Sequence, residues 1–181
     1  MKNVYIVLAH TGTIMSRIIR IFMKDEFSHV SISLDKELNK MYSFGRLNPY
    51  NAFVGGFVHE YINKGTFKRF KNTRASIYSL EITDEQYENI ENIIRKFEKE
   101  KENYTFNIIG MFAVWFHKKI KPKKSFYCAE FVKYVIETAG IKTNLPELVR
   151  PEDFKNIPNL QKIYNGLLRK YPYEEMDIVK I

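Results

Sequence analysis

The chain contains a single cysteine, Cys128, and its position suits a nucleophile. It lies just inside the start of a predicted amphipathic helix, in the segment 126–132. A thiol in the first helical turn faces unpaired backbone N–H groups and the positive end of the helix dipole, and both favour the thiolate. Because the thiolate is the reactive form of cysteine, the sequence predicts nucleophilic attack as one role for Cys128.

A helix terminus is not sufficient to ionise a thiol at neutral pH. An ordinary thiol is only about 3% ionised at pH 7, and reaching about 90% requires about 3.4 kcal/mol. A helix terminus supplies at most about 2 kcal/mol. A cationic neighbour is therefore expected, and an imidazolium is the usual one beside a cysteine nucleophile.

His29 is the predicted partner. Apolar and polar residues alternate strictly over 28–34, which predicts a strand with Val30 and Ile32 on one face and His29 on the polar face. The other three histidines are less suited, since one ends a predicted apolar helix beside lysines and two lie in segments of open geometry; they are His117, His10 and His59.

A third polar group is needed to orient the imidazole. Ser43, on the next predicted strand, offers a hydroxyl that can accept from a ring N–H. Glu60 is the competing choice, in a segment of unpredicted geometry. Ser43 could equally face water. Tyr127 and the loop that ends at Glu60 are predicted walls of a substrate cleft, and the backbone N–H of Cys128 is the expected oxyanion donor.

A structural role for Cys128 is the alternative. The buried stripe predicted for its helix contains Phe131, Val132 and Val135, and Cys128 lies three residues before Phe131 on the same face. Free cysteines are among the most buried residues in proteins. Position alone therefore leaves both a nucleophile and an inert core thiol open.

Periodicity along the chain predicts one α+β domain over 1–181, an antiparallel sheet packed against helices that include the Cys128 helix. An irregular loop or lobe is predicted at about 48–74, where several glycines and aromatic residues occur. Strands are predicted at 4–9, 27–34, 40–44 and 75–81, with strand-like sequence near 163–168. Helices are predicted at 13–24, from a capping box at Thr83 and Gln86, at 106–116, from Cys128 to Gly140, and from Pro151.

The composition limits the class of partner. The net charge of +8, concentrated in basic runs at 64–74 and 118–124, favours anionic partners, including peripheral contact with an anionic membrane. Specific nucleic-acid binding is not predicted, because no nucleic-acid motif accompanies the charge. One cysteine and scattered histidines predict no metal site and no cofactor. The first ten residues predict a strand and not a signal peptide, and no apolar run is long enough to span a bilayer, so a cytoplasmic protein is expected.

Five sequence blocks carry a family resemblance. They are Leu-Ala-His-Thr-Gly-Thr at 8–13, Ser-Arg-Ile-Ile at 16–19, Phe-Ser-His-Val-Ser-Ile at 27–32, Tyr-Ser-Phe-Gly-Arg at 42–46 and Phe-Tyr-Cys-Ala-Glu-Phe-Val at 126–132. In this order they resemble the circularly permuted branch of the NlpC-type, papain-like cysteine hydrolases, the YiiX-like group. The resemblance covers most of 4–140. It implies a permuted papain-like fold in which His29 is the base, Cys128 the nucleophile and Ser43 the third residue, a position that often holds histidine, glutamate or another polar residue.

The resemblance also implies an activity. Such enzymes cleave an amide or ester through an acyl-enzyme, and the substrate would be a small peptide or an acyl compound. Peptidoglycan peptide amidases lie on one side of the family, and lipid acyltransferases or thioesterases of the lecithin retinol acyltransferase type on the other. The alternative from another class is a non-catalytic basic module that binds an anionic partner.

Overall fold

A six-stranded antiparallel sheet with strand order β4-β3-β2-β1-β5-β8 organises the fold. The structure, a computed structural model, describes residues 1–12, 25–107, 122 and 124–172. The strands are β1 (Lys2–His10), β2 (His29–Ser33), β3 (Met41–Asn48), β4 (Asn51–Glu60), β5 (Arg74–Ile82), β6 (Thr105–Phe106), β7 (Ser125–Phe126) and β8 (Gln161–Leu167), of which β6 and β7 form a separate parallel pair. The helices are α1 (Gly65–Arg69), α2 (Asp84–Lys99) and α3 (Cys128–Thr138), with short 3-10 segments at Lys101–Asn103, Pro151–Asn156 and Leu168–Lys170. The predicted α+β class is confirmed.

Both faces of the sheet are covered. One core joins the β1 residues Val4, Ile6 and Leu8 to apolar residues of α2 and α3. The opposite core joins Val7 and Ala9 to α1 and the C-terminal segment. Because successive side chains of a strand point to opposite faces, a strand buried on both sides needs an unbroken apolar run. That requirement explains the sequence of β1.

The helix that begins at Cys128 packs against the sheet. Its buried residues are Cys128, Ala129, Phe131, Val132, Val135 and Ile136, which include the predicted stripe. Gly140 follows the helix with a φ of 88°, a left-handed conformation that glycine adopts without strain. In α2 the predicted capping box is confirmed, since Gln86 N donates to Thr83 Oγ1 at 3.1 Å and Thr83 N donates to Gln86 Oε1 at 3.0 Å.

An aromatic cluster joins α3 to the edge strands. The ring of Phe44 on β3 lies 5.2 Å from Phe131 of α3, 6.1 Å from Phe57 of β4 and 5.9 Å from Phe97 of α2, measured between centroids. Aromatic pairs at such separations contribute about 0.5–1.5 kcal/mol each beyond their burial. The cluster therefore fixes the start of α3 relative to β3 and β4.

The segment 48–74 is not the irregular lobe that its sequence suggests. It contains the ten-residue strand β4 and the short helix α1. Gly55 and Gly56 interrupt the apolar pattern of β4, but the structure uses Gly55 for close packing. A Cβ at this residue would lie 2.9 Å from Gly45 O and 2.9 Å from Cβ of Phe106. Here glycine reflects contact between chain segments, not a break in the strand.

Of the other predicted helices, some lie outside the described residues and one forms a 3-10 segment. The helix predicted at 13–24 lies outside the described residues, as does the helix predicted at 106–116 after Asn107, together with His117. Phe106 itself belongs to β6, and Pro151 opens a 3-10 segment. Within 1–12, 25–107 and 124–172, none of the helices combines the length and the apolar character that a bilayer crossing would require.

Gly55→Ala should lower the free energy of unfolding by about 1–3 kcal/mol, because the added methyl group would meet rigid atoms of Gly45 and Phe106. Gly56→Ala is the matched control, since its Cβ would first meet the flexible Leu47 side chain at 3.4 Å. Urea unfolding of both variants tests this packing. Equal stabilities of the two variants would contradict it.

Candidate active site

His29 and Glu60 form the centre of the site. His29 is the first residue of β2 and Glu60 the last of β4. The ring Nε2 lies 3.0 Å from Glu60 Oε1 and 3.2 Å from Oε2. Gly45 of β3 lies beside this pair, and a Cβ there would make ordinary van der Waals contact with it, 3.4 Å from the His29 Cε1 and 3.6 Å from Glu60 Oε1.

Ser31, two residues after His29 on β2, holds the Glu60 carboxylate. Its hydroxyl donates to Glu60 Oε2 at 2.5 Å and lies 3.3 Å from the His29 Nε2. Ser31 is fully buried, so this hydrogen bond is shielded from water. Sequence reasoning missed this residue, although its spacing of two from His29 on the polar face was a usable signal.

Cys128 opens α3 and meets His29 there. The thiol lies close enough to the imidazole to contribute to the raised pKa of the ring. The helix starts where Phe131 N donates to Tyr127 O at 3.0 Å, and Tyr127 N donates to Glu130 Oε2 at 3.3 Å. The structure therefore brings together the two residues that the sequence singled out, at the helix end where backbone N–H groups lack intrahelical acceptors.

The surroundings of His29 favour its charged form. Burial alone would lower the pKa of the imidazole, but the Glu60 carboxylate and the hydrogen bonds to Cys128 and Glu60 raise that pKa to about 10. The ring is therefore an imidazolium at pH 7. Because folding raises this pKa, the interaction stabilises the fold fully below about pH 6.5 and loses its effect as the pH rises through about 10.

The approach to the site is narrow. Cys128 is 5% exposed, and the side chains of Glu60 and His29 are 9% and 17% exposed. Of the ion pair, the imidazole is therefore the more exposed member. The edge of the Phe67 ring lies on this side of the sheet, with its centroid 6.3 Å from that of His29.

Ser43 does not orient the histidine, and that prediction is wrong. Its side chain is fully buried, and the hydroxyl donates to Val30 O at 2.7 Å. A serine side chain is short, so it bonds the carbonyl of the adjacent strand, whereas the longer Glu60 side chain reaches the ring from β4. Glu60, predicted as an alternative third residue and as a substrate contact, occupies the orienting position.

Tyr127 is not a cleft wall. Its side chain is buried and its hydroxyl donates to Val149 O at 3.0 Å. Burial, followed by the nearby Glu130 carboxylate, raises the pKa of this phenol. Tyr127 therefore anchors the segment around Val149 to the start of α3.

His59 occupies the other face of β4 and has a structural role. Its Nε2 donates to Asn39 O at 2.7 Å, since a carbonyl can only accept, and its Nδ1 is hydrogen-bonded to Tyr61 Oη at 3.0 Å. The ring is stacked on Tyr42 and Tyr61 with centroids 4.6 and 4.3 Å away.

A cleft of about 270 Å³ leads away from Glu60. Arg46, Leu47, Lys64 and Phe67 are among its lining residues. In the parts of the chain that the structure describes, histidine, cysteine and carboxylate side chains form no group of three that could hold a metal ion. The cleft therefore offers cationic and apolar contacts to a ligand.

Comparison with known proteins gives no assignment. No protein-family model matches the chain, and no curated protein matches it.

NMR titration of the histidine Cε1–H resonances tests the charge of His29. The His29 resonance should stay in its protonated position through pH 8 and titrate near pH 10. In Glu60→Gln it should titrate at clearly lower pH, because burial then opposes the charge without a carboxylate to offset it. Ser43→Ala is the control and should leave the titration unchanged. A wild-type midpoint near 6.5 would contradict the assignment.

Proposed function

We propose that the protein is a cysteine hydrolase or acyltransferase that cleaves an amide or ester bond through an acyl-enzyme on Cys128. The observation that carries this proposal is the placement of Cys128, at the start of α3, near a His29 ring that Glu60 holds and whose pKa both residues raise. An inert core thiol has no need of a cationic ring with a fixed orientation. A nucleophile needs both the charge and the orientation.

The first half of the reaction forms the acyl-enzyme. The Cys128 thiolate attacks the carbonyl carbon, a C–S bond forms, and the carbonyl π electrons move to oxygen. When this tetrahedral intermediate collapses, the C–N or C–O bond breaks and the leaving group takes a proton from the His29 imidazolium. The products of this half are a thioester on Cys128, a neutral His29 and the free amine or alcohol.

The second half releases the acyl group. Water, or the hydroxyl, amine or thiol of another acceptor, gives a proton to His29 and attacks the thioester carbonyl. The C–S bond breaks, and the enzyme returns to the thiolate and imidazolium. Water as the acceptor makes the protein a hydrolase, and any other acceptor makes it an acyltransferase.

Glu60 and Ser31 are positioning residues in this mechanism. Glu60 accepts from Nε2–H of His29, which leaves Nδ1 as the nitrogen that exchanges a proton with the sulfur and the leaving group. Ser31 donates to Glu60 and so fixes the carboxylate. The backbone N–H of Cys128, in the first turn of an 11-residue helix, is the expected oxyanion donor.

The resemblance to the YiiX-like group supports the same chemistry. An antiparallel sheet packed against the nucleophile helix is compatible with a permuted papain-like fold. Along the chain the order is His29, Glu60 and Cys128, with the nucleophile last, which is the order of the permuted branch. Glu60 supplies a carboxylate of the type often found in the third position of that group, but from a later strand than Ser43.

The cleft beside Glu60 favours a substrate that carries an anionic group, because Arg46 and Lys64 line it. A peptidoglycan-type peptide with free carboxylates and an acyl lipid with a phosphate both have such a group. The non-catalytic alternative, a basic module that binds an anionic partner, makes no use of Cys128. A test of covalent acyl transfer therefore separates the enzyme from the module.

Mixing the protein with p-nitrophenyl acetate should release one equivalent of p-nitrophenol in a burst and leave one acetyl group on Cys128, detected by intact-protein mass spectrometry. His29→Ala should slow the burst by about 100-fold or more, because the general acid and base is lost. Ser43→Ala should retain it within a few fold, since its hydroxyl is bonded to Val30 O.

Cys128→Ala is the control for other reactive groups. It should show neither the burst nor the acetyl adduct. The proposal fails if wild-type protein forms no adduct on Cys128, or if Cys128→Ala releases p-nitrophenol at the wild-type rate.

A further inference from the structure

The tip of the β3–β4 hairpin exposes three apolar side chains. Leu47 is 55% exposed, Tyr50 is 80% exposed and Val54 is 47% exposed. They are half of the six large hydrophobic residues that are exposed in the described part of the chain. Single exposed hydrophobic residues are common in soluble domains, but a local group at one loop tip indicates an interaction surface.

The surface around this tip is strongly cationic. Residues 45–74 contain six lysine and arginine residues and one acidic residue, Glu60, which is directed at His29. The exposed cations of α1 and its flanks are Lys64, Lys68, Arg69 and Lys71. Because the single carboxylate of this segment is nearly buried, it does not offset the positive charge that the segment presents to solvent.

Contacts between α1 and the hairpin make one surface of the two. Arg69 Nη1 donates to Pro49 O at 2.6 Å, and the guanidinium lies 4.1 Å from the ring centroid of Tyr50. Burial and the charge of Arg69 lower the pKa of the Arg46 guanidinium. Apolar and cationic groups are therefore held side by side at fixed positions.

This surface adjoins the cleft of the candidate active site. The cleft of about 270 Å³ is lined by Leu47 and Pro49 at the hairpin and by Glu60 at its inner end. Phe67 lines it from α1, and Lys64 lines it from the residue before α1. A molecule bound at the hairpin tip could therefore reach the carboxylate that holds His29.

We propose that the hairpin tip and α1 dock on a lipid bilayer with anionic headgroups. In this arrangement Leu47, Tyr50 and Val54 enter the headgroup region, while Lys64 and Lys68 contact the lipid phosphates. A soluble polyanion would need only the cations, and an apolar protein groove would need only the hydrophobic side chains. A bilayer surface uses both, and tyrosine is enriched at this depth.

Flotation with phosphatidylcholine vesicles, with and without phosphatidylglycerol, tests the proposal. Wild-type protein should bind only vesicles that contain phosphatidylglycerol. Lys64→Gln with Lys68→Gln should weaken binding by about 30-fold. The matched control, Lys96→Gln with Lys99→Gln, removes the same charge from the last turn of α2 and should bind within about two-fold of wild type.

The apolar contribution has its own variant. Leu47→Ser with Tyr50→Ser should weaken binding by about 10-fold. Ile163→Ser on β8, where the residue is 40% exposed, is the control and should bind like wild type. Thermal melting of each variant confirms that these surface changes leave the fold intact.

Three outcomes would overturn the docking surface: no binding to anionic vesicles, full binding by the Leu47 and Tyr50 variant, or equal loss in the Lys96 and Lys99 control. Full binding by the apolar variant would identify a site for soluble anions or polyanions. Docking of this surface on a bilayer goes beyond the acyl transfer proposed for Cys128 and does not rest on it. Cys128→Ala should bind vesicles as wild type does, so loss of acyl transfer and loss of docking are distinguishable.

Discussion

The ion pair between the His29 ring and the Glu60 carboxylate is the interaction on which the site depends. Burial by itself would drive the proton from the ring, and the carboxylate reverses that tendency. The resulting positive charge of the ring lies beside Cys128. A neutral ring at the same place could only accept a proton from the thiol. Without Glu60, burial would favour the neutral form of the ring beside Cys128.

Ser31 helps the sheet to hold this charge, since its hydroxyl reaches the carboxylate within the buried layer. Gly55 lets Phe106 lie directly on β4. The aromatic cluster around Phe44 then fixes α3 on the other face of the sheet. The two halves of the site, on β2 and α3, are thus held by packing that is independent of their chemistry.

Local sequence patterns predict the features that depend on the local chain, namely which segments form strands and helices and which face a residue occupies. Alternation placed His29 on the polar face of a strand, and helical periodicity placed Cys128 at a helix start; both placements are confirmed. The sequence offers Glu60 only as an alternative, because its approach to His29 depends on how β4 pairs with β3, which no local pattern encodes. Ser43 was wrong because a hydroxyl in a sheet can bond a neighbouring carbonyl as readily as a side chain. The local pattern does not predict β4, because Gly55 and Gly56 have the signature of a loop although Gly55 serves close packing.

The alkylation rate of Cys128 by iodoacetamide at pH 6 tests the central claim most directly. The chain has no other cysteine, so every adduct reports on this thiol. A thiolate paired with the His29 imidazolium should react about 10-fold or more faster in the folded protein than in the same chain unfolded in urea. His29→Ala should remove that advantage. A folded protein that reacts no faster than the unfolded chain would contradict the account and leave Cys128 as a packing residue.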